Sequence, residues 1–195
     1  MGNFLEILMA YYPGVVLSSE EEKIICNSFV FNLVSANEYL IKCGEYKENI
    51  YFIEEGAVRC WNFNTKCEEV SFLFAFKGDF VFSVNSLFIF NSSDYNIQTL
   101  SDSKVWVLDR ISFKLLINLS EKVRFLLVEL LLKYYDYIRV REMYLLHFSP
   151  EERYRIILKE DKRIMQNVPL KHIASYIGIT PEALSRIRRR IHKNI

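Results

Sequence analysis

The spacing of hydrophobic and polar positions changes character along the chain. Between residues 28 and 110 apolar residues come in short runs: SFVFNLV, EYLIKC, IYFIEEG, AVRCWNF, EVSFLFAF, YNIQTL and KVWVLD. The runs are rich in Val, Ile, Phe and Tyr and are broken by turn formers such as Gly44, Gly56, Asn64, Gly78, Ser92 and Ser101. Short strands at such spacing predict a β-sandwich or barrel. Ahead of them, Ser18 or Ser19 followed three residues later by Glu21 or Glu22 predicts a short capped helix over residues 18–27.

From Ile111 the period is helical. ISFKLLINLS reads as a short helix, and Ser120–Phe148 follows without a Gly or Pro. Val123, Leu127, Leu130, Tyr134 and Tyr137 make a 4-3-4-3 stripe, while Leu126, Leu131, Ile138 and Leu145 lie outside it. Two apolar surfaces on one helix predict packing on the β region and on a partner helix; burial within a single domain is the alternative. Ser149-Pro150-Glu151-Glu152 is a capping box with Pro at the first helical position, and it predicts a helix running to about Gln166.

The last segment carries the functional signal. Leu170, Ile173, Ala174 and Ile177 form one apolar face, and Gly178 permits a left-handed turn. Thr180 caps a second helix with Pro181 in its first turn. Leu184, Ile187 and Ile191 face inward there, and Glu182, Ser185, Arg186 and Arg189 share the opposite face. This is the layout of a helix-turn-helix, with an ordinary αα-hairpin as the bland alternative. Arg186 offers a donor fork to a guanine edge, Glu182 an acceptor for cytosine, and Ser185 a hydroxyl for a base or phosphate. A carboxylate at Glu182 also favours the helix dipole by itself. Thr180, Arg188, Arg189, Arg190 and Lys193 are expected on phosphates. His172 and His192 read as surface residues.

Charge sharpens this picture. The net charge of +1 hides a split: residues 148–195 hold 11 Lys or Arg and 5 Asp or Glu, against 14 and 19 in residues 1–147. A basic last quarter on an acidic body is the electrostatic pattern of a DNA-binding module. The four cysteines, Cys26, Cys43, Cys60 and Cys67, contain no Cys-x-x-Cys pair, so neither a metal nor an iron–sulfur cluster is expected. No catalytic residues are expected either, since three histidines without an acid–His–nucleophile pattern give no route to one. With no apolar run long enough to span a bilayer and no basic leader at the N-terminus, a cytoplasmic location is expected.

GEYKENIYFIEEGAVR in the β region, GDF at Gly78–Phe80, the long helix Ser120–Phe148 and IASYIGITPEALSRIRR together resemble the Crp/Fnr family of regulators over nearly the whole chain. The resemblance implies an α+β fold: a β-roll of cyclic-nucleotide-binding type, a dimerisation helix and a C-terminal helix-turn-helix. Glu182-x-x-Ser185-Arg186 resembles the recognition helix of the Fnr branch, which implies a half-site with a TGA core. The family's nucleotide cassette pairs Gly-Glu with a later Arg-Ser or Arg-Thr. Here Gly78-Asp79 stands at its start and Ser93-Asp94 at its end, with no Arg or Lys between Lys77 and Lys104. An unpaired buried phosphate would be poorly held, so no cyclic AMP binding is expected. The Fnr-type cysteine cluster is absent, and a β-wing after the recognition helix is expected to be missing or reduced.

The expected division is residues 1–118 for the β-roll, 119–148 for the dimerisation helix and 149–195 for the DNA-binding domain. An effector pocket is expected at Gly78, Asp79, Phe80, Phe82 and Ser93, with aromatics that fill a roll core as the alternative. Expected partners are double-stranded DNA, a second copy of the chain, RNA polymerase and an effector of unspecified chemistry, without a cofactor or a membrane. A ligand-binding or protein-interaction module with a vestigial helix-turn-helix is the competing reading.

Overall fold

A computed structural model describes residues 2–14 and 16–193, including the side chains of 4–14 and 16–191. The fold is α+β. Helices α1 (Gly2–Tyr11) and α2 (Ser19–Ser28) precede eight strands: β1 Val30–Val34, β2 Tyr39–Ile41, β3 Ile50–Glu55, β4 Ala57–Phe63, β5 Glu69–Phe76, β6 Phe80–Phe82, β7 Asn96–Thr99 and β8 Ser103–Leu108. Six helices follow: α3 Arg110–Leu119, α4 Glu121–His147, α5 Pro150–Glu160, α6 Lys162–Asn167, α7 Leu170–Tyr176 and α8 Pro181–Lys193.

Each expected strand run contains a strand, and the capping box of α2 forms as Ser18 with Glu21. Helix α1 and strand β6 went unforeseen. The helix expected to reach Gln166 is instead broken at Asp161, whose carboxylate accepts from the Arg163 backbone amide at 3.0 Å and so caps α6.

Two antiparallel four-stranded sheets, β1-β8-β3-β6 and β2-β7-β4-β5, face each other. Their inner residues, among them Ile53, Val58, Cys60, Ile97 and Val105, form one core. Gly56, between β3 and β4, has φ +108°, and a Cβ there would lie 2.2 Å from Ser103 Oγ, so only glycine fits this turn. The outer face of the first sheet packs on α1, α2, α3 and the start of α4 through Phe4, Phe52, Trp106 and Val123. A third cluster joins the C-terminal helices to Ala57, Phe74 and Phe76 of the second sheet.

Helix α4 carries the predicted stripe inward. Val123 is buried, and Leu127, Leu130, Tyr134 and Tyr137 pack on the roll. The second surface differs from the expected one. Leu126 and Leu131 also pack on the roll and Leu145 is half-buried, so only Ile138 of that set is exposed. The exposed stripe is Phe125, Val128, Leu132 and Tyr135, at 3-4-3 spacing. Among the described residues, no helix is long and apolar enough to cross a membrane.

Candidate nucleic-acid interface

Pro169 precedes α7, whose Ile173 and Ala174 are fully buried. Leu170 is partly exposed, so the buried face narrows to Ile173, Ala174 and Ile177. Gly178 turns the chain at φ +76°, and a Cβ there would meet only Leu145 Cδ2, at 3.5 Å. Backbone conformation, rather than space, therefore demands glycine. The Thr180 hydroxyl accepts from the Ala183 amide at 3.3 Å and starts α8.

The geometry of α8 separates its faces. Leu184, Ile187 and Ile191 are buried with Tyr154, Ile157 and Ile164, while Glu182, Ser185, Arg186 and Arg189 are exposed together. The Glu182 carboxyl is held below its usual range by its own backbone amide and by Thr180. It thus serves the helix start as well as facing outward. The basic residues divide: Arg190 pairs with Glu151 at 2.9 Å, and the half-buried Arg188 encloses its Nε without a partner among the described residues. The Lys193 side chain, like that of His192, lies outside the described residues.

His172 is buried, contrary to its reading as a surface residue. It stands where α7 docks on β5 and β4, a contact between segments more than a hundred residues apart that local polarity does not reveal. Its Nδ1 meets Arg59 Nη1 at 2.8 Å. Arg59 also donates to Gln98 Oε1 at 3.1 and 2.7 Å, pairs with Glu69 at 2.7 Å and stacks on Trp61 at 4.5 Å. Burial, then the charges of Arg59 and Lys171, bring the His172 pKa down from 6.5 to about 4. Ser175 Oγ accepts from the Ser71 amide at 3.2 Å, and the Phe74 and Tyr176 rings lie 5.1 Å apart across the same contact. The sequence placed His172 on the surface and gave Arg59 and Gln98 no part in this contact. The only available signal was the run of non-charged residues Ile173–Ile177, which is broader than a single face of a helix needs.

Of the five residues read as an effector pocket, Phe80 and Phe82 line one small apolar cavity of about 60 Å³ under α4, and Gly78, Asp79 and Ser93 are not among its lining residues. Gly78 and Asp79 form the β5–β6 turn, where Asp79 Oδ2 accepts from the Phe76 amide at 2.9 Å and lies 3.5 Å from Arg163. Burial raises the Asp79 carboxyl above its usual range. Phe80 packs on Phe52 and Tyr12, whereas Phe82 faces Tyr134 of α4 at 5.8 Å. Ser93 is buried elsewhere, donating to the Tyr95 carbonyl at 2.7 Å. Tyr95 donates to the Phe82 carbonyl at 2.8 Å, and burial pushes the pKa of the Tyr134 hydroxyl up to about 12. Arg59, the one charged residue of β4, points outward to α7.

Residues 32–119 match the model of the cyclic nucleotide-binding domain family. The fold is that of the Crp/Fnr regulators, a β-roll followed by a long helix and a C-terminal helical region. FixK2 from Bradyrhizobium japonicum is similar over 85% of this chain and 85% of its own, with 19% identity and a TM-score of 0.74. The c-di-GMP responsive global regulator CLP of Xanthomonas campestris matches 91% of this chain and 93% of its own at 11% identity, with a TM-score of 0.73. A Eubacterium rectale protein described as a transcriptional regulator of the Crp/Fnr family matches 91% and 85% at 16% identity, with a TM-score of 0.71. No curated protein sequence matches the chain.

Proposed function

We propose that the chain is a homodimeric, sequence-specific DNA-binding transcription regulator whose β-roll takes no cyclic nucleotide. One observation carries this reading: α8 presents Glu182, Ser185, Arg186 and Arg189 to solvent directly opposite the buried Leu184, Ile187 and Ile191. A basic helix fixed by its back face and free on its front is suited to enter a major groove. Arg186 reads a guanine, Ser185 and Glu182 contact neighbouring bases, and Thr180 and Arg189 hold phosphates. Arg188 and Arg190 join the phosphate contacts only if they leave their present positions, since one is partly enclosed and the other paired with Glu151.

The exposed stripe of Phe125, Val128, Leu132 and Tyr135 is the dimer face. Its spacing is that of a coiled-coil seam. Residues 1–118, 119–148 and 149–195 then act as roll, dimerisation helix and DNA-binding domain. The absence of a cation between Lys77 and Lys104 supports a roll without a nucleotide pocket. Selection of bound sequences from random duplex DNA, with a salt titration of the selected site, tests the reading. The expected product is a near-palindrome with half-sites about one helical turn apart and a steep loss of affinity with salt. Binding without sequence enrichment would leave only a module with a vestigial helix-turn-helix.

A further inference from the structure

A cleft of about 610 Å³ lies between α4 on one side and α5, α6 and α7 on the other. That volume is in the range that holds a drug-sized ligand. Its walls are mostly apolar, with Val140, Ile156, Ile164 and Ile177 among them, but two guanidiniums, Arg141 and Arg153, also line it.

Neither guanidinium has a carboxylate partner among the described residues. Arg141 Nη2 donates to the Tyr176 carbonyl at 3.1 Å and more weakly to the Ser71 carbonyl at 3.4 Å, and Arg153 Nη1 donates to the Leu145 carbonyl at 3.1 Å. The Nε of each is enclosed without any partner there. The acids on the same walls are engaged otherwise: Asp136 with Arg139 at 2.6 Å, Asp161 with Arg163 at 2.9 Å, and Glu160 accepting from Tyr144 at 3.1 Å. Lys133 is engaged too, with the Tyr11 carbonyl at 3.0 Å and the Tyr12 ring.

Arginine stays charged, so an enclosed N–H without an acceptor is a standing cost that an anion would relieve. We propose that this cleft binds a small amphipathic anion, its carboxylate or phosphate on Arg141 and Arg153 and its apolar body against Val140, Ile156, Ile164 and Ile177. The bound molecule touches α4 and α5–α7 at once, so it braces the C-terminal helices against the long helix. This site is separate from the interior of the roll.

Titration calorimetry of the full chain with dodecanoate, dodecyl phosphate and neutral dodecanol, each below its aggregation limit, tests the assignment. One saturable site per chain is expected for at least one anion, and the tighter of the two identifies the head group. Dodecanol should bind at least tenfold more weakly. Arg153→Gln should weaken anion binding at least tenfold, with circular dichroism confirming its fold. Val140→Trp, which fills the apolar end and leaves both guanidiniums in place, should abolish binding. The assignment is overturned by no saturable binding of either anion, by equal affinity for dodecanol, or by unchanged affinity in Val140→Trp.

Discussion

The Arg59–His172 contact makes acid stability a measure of how the helix-turn-helix is seated on the β-roll. His172 is kept neutral by burial and by the charges of Arg59 and Lys171, with its pKa lowered from 6.5 to about 4. Its Nδ1 then accepts from Arg59 Nη1 at 2.8 Å. Protonation would turn that acceptor into a second donor facing a guanidinium. In the unfolded chain the same imidazole takes its proton near pH 6.5. Between pH 6.5 and 4 the unfolded state therefore holds more protons, and stability falls as the pH falls; above 6.5 the effect is absent. At about 1.4 kcal/mol per pH unit the full loss is roughly 3 kcal/mol, with about 2 kcal/mol already gone at pH 5. His172→Gln removes the titration and keeps a side-chain carbonyl that can accept from Arg59. Urea unfolding at pH 7 and pH 5 should show the wild type losing about 2 kcal/mol more than the variant on acidification. Trp61, stacked on Arg59 at 4.5 Å, is the fluorescent reporter beside the contact. Equal pH-dependent losses in the two proteins would refute the buried neutral imidazole.

Three further outcomes are expected. Val128→Glu with Leu132→Glu should give monomers by sedimentation while leaving the roll folded, because both residues are exposed in the single chain and would bury unpaired charge in the dimer; an unchanged dimer would remove α4 as the interface. Arg186→Ala should cost about 1–3 kcal/mol per half-site and relax the preference at one base pair, with little change in melting temperature. Arg189→Ala should instead weaken all sequences alike and flatten the salt dependence by about one unit, and a selected motif unaltered in Arg186→Ala would end the base-reading role. Calorimetry with millimolar cyclic AMP should show no saturable heat, whereas tight binding would mean that a cation outside residues 78–103 enters the roll.

Local chemistry explains which parts of this architecture were legible in the sequence. Ser18–Glu21 and Ser149–Glu152 each place a hydroxyl and a carboxylate three residues apart, which is the whole geometry of a capping box, and both form. Gly178, Thr180 and the Leu184–Ile187–Ile191 face are likewise local, and all three behave as read. Long-range choices were less visible. Several faces of α4 are rich in apolar residues, so spacing could not say that Leu126 and Leu131 go to the roll while Phe125, Val128, Leu132 and Tyr135 stay out. The division of the arginines in α8 depends on Glu151, which belongs to another helix. GDF drew attention as the possible start of a pocket, yet its glycine and aspartate build a turn, and the position of Ser93 relative to it follows from sheet topology.

Strand β4 shows how the roll can serve as a platform without serving as a nucleotide receptor. Its Val58 and Cys60 go to the inner core, while Ala57 goes to the cluster shared with the C-terminal helices and Arg59 turns to α7. Inside, Val58 and Cys60 pack with Ile53, Ile97 and Val105, which offer no cation to a polar ligand. Outside, Arg59 binds Gln98, Glu69 and His172, and so the strand's one charged residue fastens the helix-turn-helix to the sheet. A guanidinium committed to that contact cannot also hold a phosphate in the interior, because its donors point away from it. The same fastening sets the position of α7 and, through α7 and α5, the wall that faces α4. Control of α8 by a small molecule in the cleft carrying Arg141 and Arg153 would therefore act directly on the helices that hold α8 in place.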